Sequence, residues 1–367
     1  MTSYRCWAEI DIQALRANIR TVRSMTGYQA RIIFVVKADA YGHGLAAIAS
    51  KLERDVDLFG VANLPEAQTI RATGATAPIL ILSPALPEER QTIVNERFVP
   101  TISTGEEAMA YARCVPAGER LNVHFVIDTG MGRIGLDESE AGKALEKIRH
   151  LNALRVTAIS SHLPVADEDA EYTASQLERF DTLSAGLALA GEGLTILNSA
   201  AVIGFGSRCR SGEMVRVGLA IYGISPLKEC QSQLRPALTL KTRVCLVRTL
   251  GKGRSISYGR TFITAAETRV ATLSAGYGDG IDRHLSGQES DVLLRGRRCR
   301  MLGRVTMDQI MVDVSHLDGV RPGEEVVLIG RQGNEEILAS EVAAKAGTIA
   351  WEIFTGITKR VTRLYLE

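Results

Sequence analysis

Across residues 1–225 one pattern recurs: a short apolar, β-branched run, a polar or glycine-containing turn, then a stretch whose apolar residues are spaced as in a helix. The strand-like runs are 32–36, 58–62, 79–82, 99–102, 122–127, 156–160, 195–197 and 214–220, with helix-like stretches such as 65–73, 105–113, 138–150 and 170–190 between them. A strand that is apolar on both faces must be covered on both faces, which parallel strands alternating with amphipathic helices achieve. Eight such units predict an α/β fold whose N-terminal part is a (β/α)8 TIM-like barrel. The competing open doubly wound sheet lacks its glycine-rich fingerprint after the first strand.

From about Gln231 the helical spacing nearly disappears, and short alternating segments separated by glycine and charged turns take over: 238–247, 255–258, 270–273, 292–294, 310–314 and 325–329. These predict a smaller, mainly antiparallel β domain with a helix near 340–346, capped by Ser340. Residues 5–10 alternate like a strand that joins this domain. The expected division is therefore 1–10 as a strand of the β domain, 11–230 as the barrel and 231–367 as the β domain, a length that suits two cores.

Charge narrows the partners. With 43 basic and 42 acidic residues the chain has no global field for nucleic acid or an anionic membrane surface. The cluster Arg295, Arg297, Arg298 and Arg300 reads as a solvated strand edge. No apolar run approaches the roughly 20 residues that cross a bilayer. The N-terminal residues show no basic region followed by an apolar stretch, and the six scattered cysteines lack paired or CxxC spacing. A cytoplasmic protein with free thiols and no metal site is expected.

Barrel enzymes build their sites from residues at the C-terminal ends of the strands. Those positions here hold Lys37, Asn63, Ser83, Ser103, Asp128 with Arg133, His162, Asn198 with Ser199, and Arg216 with Gly218. A lysine leaving a buried strand into a desolvated pocket has a lowered amine pKa and can form a Schiff base with an aldehyde; the same lysine could equally snorkel to solvent. The segments after strands seven and eight lie where barrels commonly bind phosphate, and Gly218 would let the backbone approach an anion, although turn chemistry explains a glycine there as well. Arg133, after a glycine-rich turn, offers planar donors for a carboxylate or phenolate, or is a surface arginine. In the β domain, tyrosines flanked by glycine stand at 257–259 and 276–280, ahead of the segment 303–309. Loop tyrosines of this kind are usually only exposed.

Taken in order, VVKADAYGHG (35–44), DTGMGRIG (128–135), SHLPVAD (161–167), NSAA (198–201), MVRVGLAIYGISP (214–226), SISYGRTF (255–262), GYGDGIDR (276–283) and GRVTMDQIMVDVS (303–315) resemble the alanine racemase family through nearly the whole chain. The resemblance implies pyridoxal 5'-phosphate and a head-to-tail homodimer whose sites are completed by the partner's β domain, acting on a small amino acid. It further implies that Lys37 is the Schiff-base lysine and one acid/base group, and that Tyr258, from the other subunit, is the opposing base. His162 and Arg216 would tune Tyr258, and Arg216 would also meet the pyridine nitrogen. Tyr41, Asn198, Ser199, Gly218 and Leu219 match the cofactor's phosphate side. Arg133 matches the donor to the phenolic oxygen and the substrate carboxylate, near which the Met307 amide also falls, while Tyr277 and Asp308 match the entryway.

Two positions depart from the family pattern. Val126 stands where many members carry a carbamylated lysine, so Arg133 lacks that negative partner and an anion such as chloride could take its place. Trp351 stands where the family has a tyrosine beside the phosphate. Both bear on substrate choice. The expected reaction is interconversion of L- and D-alanine for peptidoglycan, the alternatives being a serine racemase of the same family, a barrel-type pyridoxal-phosphate decarboxylase, whose glycine-rich and cysteine-aspartate segments are missing here, or a non-catalytic cofactor carrier.

Overall fold

A computed structural model of the chain describes residues 4–187, 189 and 191–367. The chain opens with β1 (Cys6–Asp11) and α1 (Ile12–Met25), then enters the barrel: β2 (Arg31–Val35), β3 (Leu58–Val61), β4 (Ile79–Ile81), β5 (Val99–Ile102), β6 (Leu121–Asp128), β7 (Leu154–Ser160), β8 (Gly193–Thr195) and β9 (Met214–Val217). These strands pair in parallel in the order β9-β2-β3-β4-β5-β6-β7-β8. The Arg216 amide donating to the Leu197 carbonyl at 2.9 Å brings the two ends of that order together, so the barrel nearly closes. Its strands are apolar on both faces because one face meets the packed interior and the other the helices.

Those covering helices are α2 (Leu45–Leu52), α3 (Leu64–Arg71), α4 (Arg90–Asn95), α5 (Gly105–Cys114), α6 (Glu138–Arg149), α7 (Ala170–Gly186) and α8 (Ser199–Phe205). Several begin on a polar residue that follows a strand: Asn63, Thr104, Asp169 and Asn198 each accept a first-turn amide at 2.9–3.1 Å. Such caps satisfy amides that the helix itself leaves open. The expected strand at 195–197 lies two residues earlier, at Gly193–Thr195, and the last strand stops at Val217, where the chain turns at Gly218. The helix expected over 170–190 ends at Gly186; Ala188 and Ala190 lie outside the described residues.

The second sheet contains β10 (Leu238–Leu250), β11 (Thr268–Leu273), β12 (Asp291–Leu294), β13 (Arg297–Arg300), β14 (Ile310–Asp313), β15 (Glu325–Gln332) and β16 (Thr362–Leu366), mainly antiparallel, in the order β13-β12-β15-β10-β1-β16. The strand β1 lies between β10, antiparallel, and β16, parallel. At the sheet edge three of the four arginines of β13 and its turn are paired with carboxylates: Arg295 with Glu324, Arg298 with Glu335 and Glu341, Arg300 with Glu289. That is how an edge strand is kept from adding further strands.

Three local expectations are corrected. Ser340 does not cap its helix; α9 (Ala339–Ala346) starts after Leu338, with no side-chain cap. A further helix, α10 (Ala350–Thr355), follows it and carries Trp351. The strand expected over 255–258 ends at Ile256, because Ser257 sits at φ +65° with its hydroxyl donating to the Arg304 carbonyl at 2.6 Å, and Tyr258 starts a turn.

The segment after β2 is unusual. Ala38, Asp39, Ala40 and Tyr41 all have φ between 51° and 56°, a turn of left-handed helix made without glycine. Each such residue costs about 1–2 kcal/mol, so the turn persists only because it is held. Leu45 donates its amide to Asp39 Oδ1 at 2.8 Å, Arg363 Nε donates to the Gly42 carbonyl at 3.0 Å, and the Tyr365 hydroxyl donates to the His43 carbonyl at 3.0 Å. Gly42 is required where it stands: a Cβ there would lie 2.1 Å from the Phe354 carbonyl oxygen.

Candidate functional site

A cavity of about 780 Å³ opens at the C-terminal ends of the barrel strands, a volume in the range of small-ligand sites. Of the strand-end residues, Lys37, Ser83, Asp128, Arg133, His162, Asn198, Ser199, Arg216 and Gly218 line it. Asn63 and Ser103 do not: Asn63 caps α3, and the Ser103 amide donates to the Glu107 carboxylate. Tyr41, Leu219 and Trp351 also face the cavity.

Lys37 leaves β2 into this space. Burial, followed by the nearby Arg133 guanidinium, pushes its amine below the ordinary lysine range, against a smaller upward pull from Glu66. Arg216, on β9, is buried without a carboxylate partner. Its terminal nitrogens donate to the Thr195 carbonyl at 2.7 Å, the Thr195 hydroxyl at 2.8 Å, the Ser161 carbonyl, and His162 Nδ1 at 3.2 Å. Four of its five donors are then taken, and the Nε–H is left for a ligand. Because arginine only donates, His162 Nδ1 must accept, which places the imidazole proton on Nε2. Burial and then the Arg216 charge push His162 down to about 3, so it is neutral at physiological pH. Burial also lowers Arg216, to about 10, and leaves it charged there.

The cavity is lined by the basic Lys37, Arg133 and Arg216 and by the carboxylates of Asp128, Asp167 and Glu168. Arg133 is exposed and makes no hydrogen bond or ion pair among the described residues. The neighbouring carboxylate is engaged elsewhere: Asp128 accepts the amides of Gly130, Met131 and Gly132 at 2.8–2.9 Å. Val126, buried, presents only methyl groups to the same space. The two arginines, neither paired with a carboxylate among the described residues, offer positive charge to an anionic ligand.

One wall fits a phosphate-sized group. Ser199 Oγ accepts the Gly218 amide at 3.1 Å and the Ala220 amide at 3.4 Å, beside the Tyr41 ring. A Cβ on Gly218 would lie 2.7 Å from the Tyr41 hydroxyl, so glycine keeps this wall open. Burial pushes the Tyr41 phenol up to about 12, partly offset by a hydrogen bond with Trp351. Trp351 thus takes part in the wall through Tyr41. Asn198 holds the turn, donating to the Leu163 carbonyl at 3.3 Å.

Tyr258, Tyr277, Met307 and Asp308 do not line this cavity; they stand on turns of the C-terminal part, Tyr258 in a turn held against Arg304 and the other three on adjoining loops. Tyr277 donates its amide to the Thr306 carbonyl at 3.0 Å and Gly278 to the Met307 carbonyl at 2.8 Å. Arg360 clamps the same loops, donating to Asp308 at 2.7 Å and to both oxygens of buried Asp279 at 2.7 and 2.8 Å. Tyr258, Tyr277 and Met307 are 70 %, 40 % and 53 % exposed, an uncommon concentration of large apolar side chains in solvent. One chain thus holds the barrel cavity and, outside its lining, a second group of exposed side chains.

Sequence reasoning missed several cavity residues, among them Thr101, His124, Ser160 and Ser161. His124 was detectable by stepping back in twos from Asp128 along β6, since alternate strand residues share a face. Burial pushes it down to about 3, and its Nδ1 has no partner.

The fold and the cavity define a barrel enzyme with a lysine and two arginines at the C-terminal ends of its strands. Comparison with known proteins specifies the family. The family model of the alanine racemase N-terminal domain matches residues 10–226, and that of the C-terminal domain matches 237–365. The alanine racemase of Symbiobacterium thermophilum is 44 % identical over 98 % of this chain and 96 % of its own length, and that of Methylacidiphilum infernorum 40 % identical over 98 % and 92 %. The alanine racemase structure from Clostridium difficile superposes with a TM-score of 0.91 at 32 % identity, covering 100 % of this chain and 97 % of that one. That from Bacillus anthracis, with bound L-Ala-P, gives 0.89 at 33 %, covering 100 % and 96 %. The chain belongs to the alanine racemase family.

Proposed function

We propose that this protein interconverts L- and D-alanine with pyridoxal 5'-phosphate held at Lys37, as a homodimer, in the cytoplasm, supplying D-alanine for peptidoglycan. Residues 11–230 would bind the cofactor, while residues 231–367, with the strand at 1–10, would present the second half-site to the partner subunit. The observation that carries the reading is a deprotonation-prone lysine in a cavity it shares with two arginines, together with an exposed tyrosine elsewhere on the same chain.

The residues present fit the cofactor. Gly218 and Leu219 amides, Ser199 and Tyr41 suit its phosphate, a cradle that a Cβ on Gly218 would fill. Arg133 suits its phenolic oxygen, and the free Nε–H of Arg216 suits its ring nitrogen. Bound there, the cofactor supplies an electron sink that makes the α-proton of an amino acid acidic. Because Arg216 stays charged, it gives no proton to that ring nitrogen, which keeps the sink moderate and discourages side reactions. Lys37, with its amine pushed down, takes or returns a proton at Nζ on one side of the α-carbon. The partner subunit's Tyr258 does so on the other side, and inversion needs both. Arg133 and the Met307 amide would hold the substrate carboxylate, and Tyr277 and Asp308 would line the entrance.

The test is Tyr258→Phe, assayed beside the wild type with L-alanine and L-serine. The variant should keep the bound-cofactor absorbance and lose racemisation by about 10²–10⁴-fold. Undiminished activity would end the two-base reading, and a wild-type preference for serine would end the choice of alanine.

A further inference from the structure

We propose that Glu66 is a positioning residue for Lys37, its carboxylate tying the start of the left-handed turn to the end of the neighbouring strand and so fixing where Lys37 leaves β2. The inference rests on the reading of Lys37 as the base. Glu66 Oε1 accepts the Ala38 amide at 2.7 Å, and Oε2 accepts the Ala62 amide at 2.7 Å. Ala38 is the residue after Lys37, and Ala62 is the residue after β3. One carboxylate therefore bridges the ends of two adjacent barrel strands, where neither amide has a strand partner.

The simple alternative is a capping box, in which a glutamate three residues into a helix accepts the amide of its own cap residue. Asn63 does cap α3, and Glu66 does stand at the third position. Yet its oxygens go to Ala62 and across to Ala38, not to the Asn63 amide. The bond to Ala38 adds nothing to α3. It matters to the turn, whose four residues at positive φ are fastened at the far end by Asp39, Arg363 and Tyr365. At the near end the Ala38 amide goes to Glu66. Without that tie, the first strained residue can relax toward ordinary backbone, and Lys37, directly before it, would turn with it. The carboxylate also supplies negative charge near the Lys37 amine, opposing Arg133.

The experiment uses Glu66→Gln in the cofactor-loaded enzyme. Glutamine keeps the length but turns an N–H₂ toward one of two amide donors and removes the charge. Hydrogen exchange over residues 36–45 should quicken about tenfold, the loss expected for one charge-assisted hydrogen bond, while exchange in β5–β7 stays as in the wild type. In the same variant kcat should fall about tenfold with KM within about twofold, the pattern of misplaced catalytic geometry. The pH titration of the bound-cofactor absorbance should move to lower pH, because the positive charge at protonated Lys37 Nζ has lost its neighbouring carboxylate. Unchanged exchange over 36–45, or a uniform rise across the barrel with a lowered melting temperature, overturns the proposal. A Lys37→Ala variant that still racemises would instead overturn the reading of Lys37, and the exchange result for Glu66 would be unaffected.

Discussion

Replacing Gly218 with alanine tests the cofactor wall directly. The new Cβ would lie 2.7 Å from the Tyr41 hydroxyl oxygen, 2.9 Å from Cζ and 3.4 Å from Cε2. Contacts below 3.0 Å require something to move, and the phenol has little room. Its ring is buried, lies 4.9 Å from the Tyr222 ring and is hydrogen-bonded with Trp351. Tyr222 is itself buried and donates to the Val35 carbonyl at 3.2 Å, so it gives no space either. Inserting a methyl into such a place costs about 1–3 kcal/mol. If the strain falls on the cofactor wall, affinity weakens by about 5–150-fold. Titration of the cofactor-free variant with pyridoxal 5'-phosphate reads this, and thermal unfolding reads any share taken by the fold. Adding Tyr41→Phe deletes the nearest oxygen, so the double variant should recover part of the loss, a coupling that a double-mutant cycle measures. Wild-type affinity and melting temperature in Gly218→Ala, or strict additivity with Tyr41→Phe, would refute the geometry.

Two further outcomes follow from buried charge. Burial holds His43 at about 4 and His124 and His162 at about 3, each below the ordinary value of 6.5. The unfolded chain therefore binds more protons than the folded one below pH 6.5, so stability is full above that pH and declines as the pH falls toward 4. The slope should approach about 4 kcal/mol per pH unit if all three take part; urea midpoints that stay flat from pH 6.5 to 4.5 would contradict this. Arg360→Ala strands the Asp279 carboxylate, which is buried beneath the Tyr277 and Met307 loops. It should lower stability by about 1–3 kcal/mol and slow racemisation through those loops, measured by denaturant unfolding and by initial rates; an unchanged midpoint would show that water replaces the guanidinium.

The barrel was legible because parallel strands covered on both faces must be continuously apolar, and that pattern survives in runs as short as Ile79–Ile81. Positions such as Lys37, His162 and Arg216 followed from the strand ends without any contact being known. The left-handed turn was not legible. Ala38, Asp39, Ala40 and Tyr41 have no sequence mark of positive φ, and only Gly42 and Gly44 hint at it. Glu66 was missed for a related reason: in sequence it is an ordinary first-turn glutamate, and its partner Ala38 lies 28 residues away. Ser340 misled in the opposite way, since a residue suited to capping stood two positions beyond the one the backbone uses. That Tyr258 stands outside the Lys37 cavity of its own chain was expected from the family resemblance, which assigns it to the other subunit's site, and not from the residues around it.

The placement of β1 between β10 and β16 has a consequence for how the protein is made. It is made before the barrel, yet one neighbour begins more than 220 residues later, at Leu238, and the other more than 350 residues later, at Thr362. The barrel strands can meet once Val217 has appeared, while β1 lacks both of its neighbours until β10 and then β16 have followed. Contacts of such sequence separation form slowly, and an exposed edge invites aggregation in the interval. Production of this protein should therefore be limited by a late step of assembly, the insertion of β1 between two strands made long after it.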